Sequence, residues 1–312
     1  MASRAAGEYP PVPEPLAVPA VDTHTHLDMC TGTRGPIKSG EPGPEVEPEE
    51  GETFPPLDFF YDTAMAAGVT RIVQIGCEMG AARWTARVVE EQAKAGRDWM
   101  LGGVAIHPNE APRLARAGIL EESLDEIESL VTSHDRMRVV GETGLDFFRT
   151  DADSARDMKA QEESFRAHIE IAQRNGLTLQ IHDREAHADV FRVLRDTGVP
   201  DRTILHCFSG DAEMAREAGK MGIFCSFAGN VTFKNAHGLR EAAEVVPPEL
   251  LLTETDAPFL TPHPHRGKPG GPYMVAHVVR TLAQVRGVSE EELAERVTAN
   301  AVRAVGAWEL TL

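Results

Sequence analysis

The sequence predicts one α/β domain folded as a (β/α)8 TIM barrel, on three observations. Eight short apolar runs alternate with amphipathic stretches along most of the chain. The 312 residues give room for eight such units in one closed domain. No Gly-rich phosphate loop follows the first run, as expected if the sheet is not an open nucleotide-binding one. The pattern favours the closed barrel and leaves an open doubly wound sheet as the alternative.

Residues 1–17 are Pro-rich and expected to be a poorly ordered tail, with the domain spanning 18–312. Candidate strands are Ala17–Thr23, Arg71–Gly76, Met100–Ile106, Met137–Gly141, Thr178–Ile181, Thr203–Leu205, Gly222–Ser226 and Leu250–Thr253. Helices are expected over Ala81–Ala95, Leu120–Ser133, Ala155–Asn175, Ala186–Thr197, Ala212–Met221 and Leu239–Val246, with Tyr273–Arg286 and Glu290–Val305 closing the chain. Gly176 and Gly198 stand where helix C-caps are expected. The segment 31–56 is acidic, rich in Gly and Pro and without period, so it reads as a surface insertion beside the first strand end.

Composition narrows the function. Lys plus Arg number 31 and Asp plus Glu 49, a formal net charge of −18. Such a chain does not coat a duplex with basic surface, because neutralising phosphates takes clustered cations. It can still process a nucleic-acid end if metal ions supply the positive charge locally. Cys30, Cys77, Cys207 and Cys225 are scattered and form no C-x-x-C pair, as expected of reduced thiols. The N-terminal stretch lacks an apolar h-region and no run approaches a membrane span, so a cytoplasmic protein without membrane contact is expected.

The chemistry sits at strand ends. In an extended segment residues i and i+2 share a face, so His24 and His26 of DTHTHLD project together and can hold a metal ion. Glu142 follows the run Val139–Gly141, His182 follows Leu179–Ile181, and His206 follows Ile204–Leu205. Glu254 and Asp256 follow the last strand. Ligand-type side chains thus stand at the carboxyl ends of five strands, where barrel active sites are built. Mixed imidazole and carboxylate ligands suit Zn²⁺ or Mn²⁺.

In the order DTHTHLD, GVAIHP, GETGLDFF, IHDRE, HCFSG and ETDAPFL, these motifs resemble the TatD family of metal-dependent deoxyribonucleases, within the amidohydrolase-type barrels. The resemblance runs from about Val21 to about Ala304. It implies two divalent ions, one held by His24, His26, Glu142 and Asp256, the other by Glu142, His182 and His206, with Glu142 bridging. Family members are often described as Mg²⁺-dependent, so Mg²⁺, Mn²⁺ and Zn²⁺ all stay open. Glu142 and Asp256 are the candidate catalytic carboxylates, and the nucleophile is expected to be a metal-bound hydroxide. His107 resembles a substrate-facing position, and Arg184 matches a His-x-Arg that could grip phosphate bidentately. Arg266, with Lys268 beside it, could add local positive charge. Asp28, as a hydrogen-bond partner of a ligand imidazole or as a local cap, and Glu254 are expected behind the ligands. The chain departs from the family at Phe147 and Phe148, where Tyr is common, and at Gly270-Gly271, where an Asn often precedes Pro272. His237, His263, His265 and His277 match no ligand position.

The expectation is a 3′-to-5′ exodeoxyribonuclease or related phosphodiesterase acting on DNA ends or single strands. Hydrolysis of an ester or amide carbonyl, such as deacylation of D-aminoacyl-tRNA, is the alternative, and a non-catalytic metal-binding scaffold is a third.

Overall fold

The computed structural model describes residues 7–33, 53–150 and 154–308. Eight parallel strands follow sequence order around the sheet: β1 Ala20–Thr25, β2 Val69–Gly76, β3 Met100–Val104, β4 Met137–Asp146, β5 Thr178–Arg184, β6 Thr203–Leu205, β7 Phe224–Phe227 and β8 Leu251–Thr253. The last strand meets the first through a parallel bridge between Thr25 and Ala257, with His26 N donating to Ala257 O at 2.8 Å and Asp256 N to His24 O at 3.0 Å. The sheet is a (β/α)8 barrel, as expected. The same closure brings the His24–His26 pair beside Asp256.

Helices alternate with the strands: α1 Leu27–Cys30, α2 Leu57–Ala66, α3 Met79–Lys94, α4 Ala111–Ala117, α5 Leu120–Val131, α6 Ala155–Asn175, α7 His187–Thr197, α8 Ala212–Lys220, α9 His237–Val245, α10 Val275–Arg286 and α11 Glu290–Val305. Their ends have local causes. Ser154 accepts from Asp157 N at the start of α6, and Gly176 ends it at φ 61°, a left-handed conformation glycine adopts without strain. None of the described helices is long and apolar enough to cross a membrane.

Two expectations about organisation change. The Pro-rich N-terminal segment is packed onto the barrel over its described part. Tyr9 stacks edge-on against Phe59 and Phe60, Pro10 O accepts from the Tyr273 hydroxyl at 2.7 Å, and Leu16 is buried. Prolines stiffen this stretch, and its aromatic and apolar side chains give it surface to bury. The predicted first strand, Ala17–Thr23, begins later and runs further, because its residues pair with Val69–Gln74 only from Ala20 onward. Of the 31–56 insertion, residues 34–52 lie outside the described residues.

Candidate metal centre

Strand β1 ends inside the barrel mouth with both imidazoles buried. Each ring is held by an acceptor on its Nδ1. His24 Nδ1 lies 2.9 Å from Gln180 Oε1, and the Gln180 amide is fixed because its Nε2 donates to Thr23 O at 3.0 Å. His26 Nδ1 lies 2.9 Å from Ile75 O. Both partners are acceptors, so both rings carry Nδ1–H and both Nε2 atoms are lone pairs. Those two nitrogens face each other at 3.0 Å. Facing lone pairs repel unless a cation or a proton lies between them.

The same holds across the site. His206 Nδ1 is 3.2 Å from Glu254 Oε1, which leaves its Nε2 lone pair 2.6 Å from Glu142 Oε2. His182 Nε2 lies 3.3 Å from Asp146 Oδ2, and its Nδ1 lies 3.1 Å from Glu142 Oε2. On the other side, Glu142 Oε1 is 3.6 Å from His26 Nε2. Asp256 Oδ1 is 3.5 Å from His26 Nε2 and 3.7 Å from His24 Nε2. The two oxygens of one carboxylate therefore face two nests: Oε1 faces His26, which His24 and Asp256 flank, and Oε2 faces His182 and His206. Among the described residues three groups bring ligand atoms within 4.8 Å of one another: His24, His26 and Glu142; His24, His206 and Glu254; and His107, Glu142 and His182. Their imidazole and carboxylate donors fit a metal ion.

Protonation reflects the same frustration. Burial pushes His24 well below the ordinary histidine range, assisted by His206 and His26. Burial also acts to lower His26, but Asp256 and the Glu142 charge outweigh it and lift His26 to about 9. His206 is likewise raised against its burial, by the charges of Glu142 and Glu254. Glu142 is held well below the carboxylate range, because His206, His107 and His182 overcome its own burial. In the metal-free chain protons fill the place cations would take.

The local backbone explains the GETG motif. A Cβ on Gly141 would sit 2.6 Å from Gln180 Cβ. Gly144 has φ 139°, and a Cβ there would collide with His182 O. Only glycine lets β4 pass this close to β5 on both sides of Glu142. Asp256 stands at φ 55°, an uncommon conformation for a residue with a side chain, at the strand-end position that faces the two histidines.

The remaining candidate residues separate by their partners. Glu254 Oε1 accepts from Cys207 N at 2.7 Å and lies 3.2 Å from His206 Nδ1, which places it behind that ring. Asp28 meets no imidazole. Its Oδ1 accepts from Gln74 Nε2 at 3.1 Å, and the ring beside it, His26, is held by Ile75 O instead. The expectation that Asp28 bonds a ligand imidazole is corrected, because Gln74 reaches it first from β2. His107 lies at the mouth with Nε2 3.9 Å from Glu142 Oε1. Its Nδ1 accepts from Asn109 N at 3.0 Å, and burial pushes its pKa down to about 3. The neutral ring therefore presents Nε2–H toward the mouth of the site.

Arg184 and Arg266 lie over aromatic rings, with guanidinium carbons 3.9 Å from the Phe148 centroid and 4.4 Å from the Phe233 centroid. Among the described residues neither has a carboxylate partner. Lys268 does: its Nζ is 3.2 Å from Glu8, so it supplies no free charge. Asp146, Asn109 and Gln180 were not anticipated as site residues. Asp146 is buried beside His182 and accepts from Asn109 Nδ2 at 3.1 Å. Its signal was its position in GETGLD, and that of Gln180 its shared strand face with His182, two residues on.

Barrel and site together define a metal-dependent hydrolase. The chain belongs to the TatD related DNase family, whose model matches residues 21–306. It is 41% identical over 287 residues to the uncharacterized metal-dependent hydrolase TatD of Mycobacterium tuberculosis, covering 92% of this chain and 97% of that one. It is 37% identical over 248 residues to the uncharacterized metal-dependent hydrolase YabD of Bacillus subtilis, covering 79% and 91%. Among solved structures, the TatD homolog YJJV of Escherichia coli superposes with a TM-score of 0.72 at 24% identity, covering 92% of this chain and 98% of that one. That likeness is one of fold.

Proposed function

We propose that the chain is a two-metal phosphodiesterase that removes nucleotides from DNA ends in the 3′-to-5′ direction. The observation that carries the reading is the division of the ligand set by Glu142, whose Oε1 and Oε2 each face their own nest of histidines. His24, His26 and Asp256 would hold one ion, His182 and His206 the other, with Glu142 shared. Two divalent ions bound there would lower the pKa of water and neutralise charge on a phosphoryl group.

The chain's own groups do the rest. Asp256, 16% exposed beside His24 and His26, is suited to take a proton from the attacking water. His107 is suited to donate from Nε2 to a phosphoryl oxygen as negative charge grows there. Gln180, Ile75 O and Glu254 keep the rings of His24, His26 and His206 in one tautomer, and Asp146 stands 3.3 Å from His182 Nε2. Arg184 and Arg266, without a carboxylate partner among the described residues, suit a substrate that carries phosphate.

The test is an assay of metal-reconstituted protein on 3′-labelled single-stranded DNA, RNA and D-aminoacyl-tRNA. Release of labelled mononucleotide from DNA is expected. Deacylation of the tRNA with the DNA left intact would overturn the reading and favour attack on carbon.

A further inference from the structure

Phe148 is 57% exposed and is the sole aromatic among the large hydrophobic side chains exposed in the described residues. Exposure of one apolar side chain is ordinary, but this ring is held in place. Its backbone N–H donates to Asp146 Oδ1 at 3.0 Å, and Asp146 Oδ2 lies 3.3 Å from His182 Nε2. The Arg184 guanidinium lies 3.9 Å from the ring centroid, and the Phe148 side chain stays more than half exposed. Arg184 stands two residues beyond His182, on the same face of β5, and pairs in register with Asp146. Ring and guanidinium are thereby tied by two short backbone links to the metal nest.

From this geometry we infer that Phe148 is a specificity-determining residue that stacks the base of the terminal nucleotide, with Arg184 beside it for a phosphate. The inference rests on the nuclease reading and narrows it. A flat apolar surface next to a free guanidinium edge matches a ligand in which a base and a phosphate are joined through one sugar. A phosphate ester without a base or other flat ring would use the guanidinium and leave the ring idle. The face of the guanidinium is satisfied by the ring, and its N–H edges remain available for phosphate oxygens. A stack on an aromatic ring tolerates every base, so the site would select for the presence of a base and not for its identity.

Product binding tests this apart from catalysis. The metal-loaded full chain is titrated calorimetrically with 5′-dAMP and, separately, with 2-deoxyribose 5-phosphate, which has the sugar and phosphate but no base. The wild type is expected to bind dAMP roughly 5- to 150-fold more tightly, the ratio that one base–aromatic stack supports. In Phe148→Ala and in Phe148→Leu, which keeps an apolar side chain without a π face, the ratio is expected to collapse toward parity. Phe148→Trp should retain it, which a merely structural role for the position would not produce. Equal affinity for the two ligands in the wild type, a ratio preserved in Phe148→Ala, or no measurable binding of dAMP would each overturn the platform. Turnover of bis(p-nitrophenyl) phosphate by the wild type is measured alongside. Its absence would fail the phosphodiesterase reading, whereas the dAMP ratio judges the platform alone.

Discussion

Replacing Glu142 perturbs the site more than any other single change, because both nests lean on one carboxylate. Glu142→Ala removes Oε1 from its place 3.6 Å from His26 and Oε2 from its places 2.6 Å from His206 and 3.1 Å from His182. Loss of an outer partner of a ligand already costs about 10- to 100-fold in metal affinity. Loss of a direct, charged ligand should cost at least the upper end of that range, about 100-fold, at each ion. Asp256→Ala removes a carboxylate that faces only His24 and His26, so it should weaken one ion and leave the other in place. The fold should survive both changes, since the histidines raised by Glu142 can lose their protons once the charge is gone. The assay is metal content by mass spectrometry after dialysis, with turnover on single-stranded DNA in parallel and the thermal transition as a folding control. The expected result is loss of both ions and of turnover in Glu142→Ala, against loss of one ion in Asp256→Ala. A folded Glu142→Ala that keeps two ions and near-normal turnover would refute the shared carboxylate.

Buried His168 predicts an acid-sensitive fold. Burial lowers its pKa to about 4, while its Nε2 accepts from Ile106 N at 3.1 Å. The unfolded chain takes up the proton below about 6.5 and the folded chain does not until about 4, so stability present above that first pH is lost as pH falls through the window. At 1.36 kcal/mol per pH unit the loss is about 3 kcal/mol, and denaturant titrations should show it shrinking in His168→Gln relative to the wild type; an unchanged pH dependence would sink the assignment. Gly144→Ala should destabilise the barrel by at least ~1–3 kcal/mol, since the new side chain meets both a φ of 139° and the His182 carbonyl; a thermal transition equal to the wild type's would show that β4 can yield there. Substrate binding should depend weakly on salt, with a log–log slope of about −1 to −2 on single strands, because attraction is local in a chain of net charge −18. A steep slope on duplex DNA in the absence of metal would reveal a basic surface elsewhere.

The barrel was legible because its strands are apolar runs at regular spacing. Thr203–Leu205, Ala155–Asn175 and Glu290–Val305 carry the bounds expected of them. The last two are helices opened by a serine cap, Ser154 and Ser289, and capping is a local signal. Strand β4 was expected to stop at Gly141 and runs to Asp146, because Thr143 to Asp146 pair with β5 although their polar residues break the apolar pattern. Helices Leu57–Ala66 and Ala111–Ala117 were missed. The first borders the acidic insertion, and the second is short and has Pro112 in its first turn.

Candidate ligands were legible for a related reason: Glu142, His182 and His206 each follow directly on an apolar run, and His24, His26 and Asp256 stand within a few residues of one. Their orienting partners were not, because those contacts are long-range. Gln180 lies 156 positions from His24 and Glu254 lies 48 from His206. Asp28 shows the converse. Proximity in sequence suggested an imidazole partner, and a glutamine 46 positions away took its place.

The central claim is that one carboxylate divides two ions between the nests of His24, His26 and Asp256 and of His182 and His206. Anomalous diffraction from crystals grown with Mn²⁺ or Zn²⁺ tests it most directly. The account predicts two anomalous peaks roughly 3.5–4 Å apart, one on each side of Glu142. A single peak, or a second peak remote from His182 and His206, would contradict it.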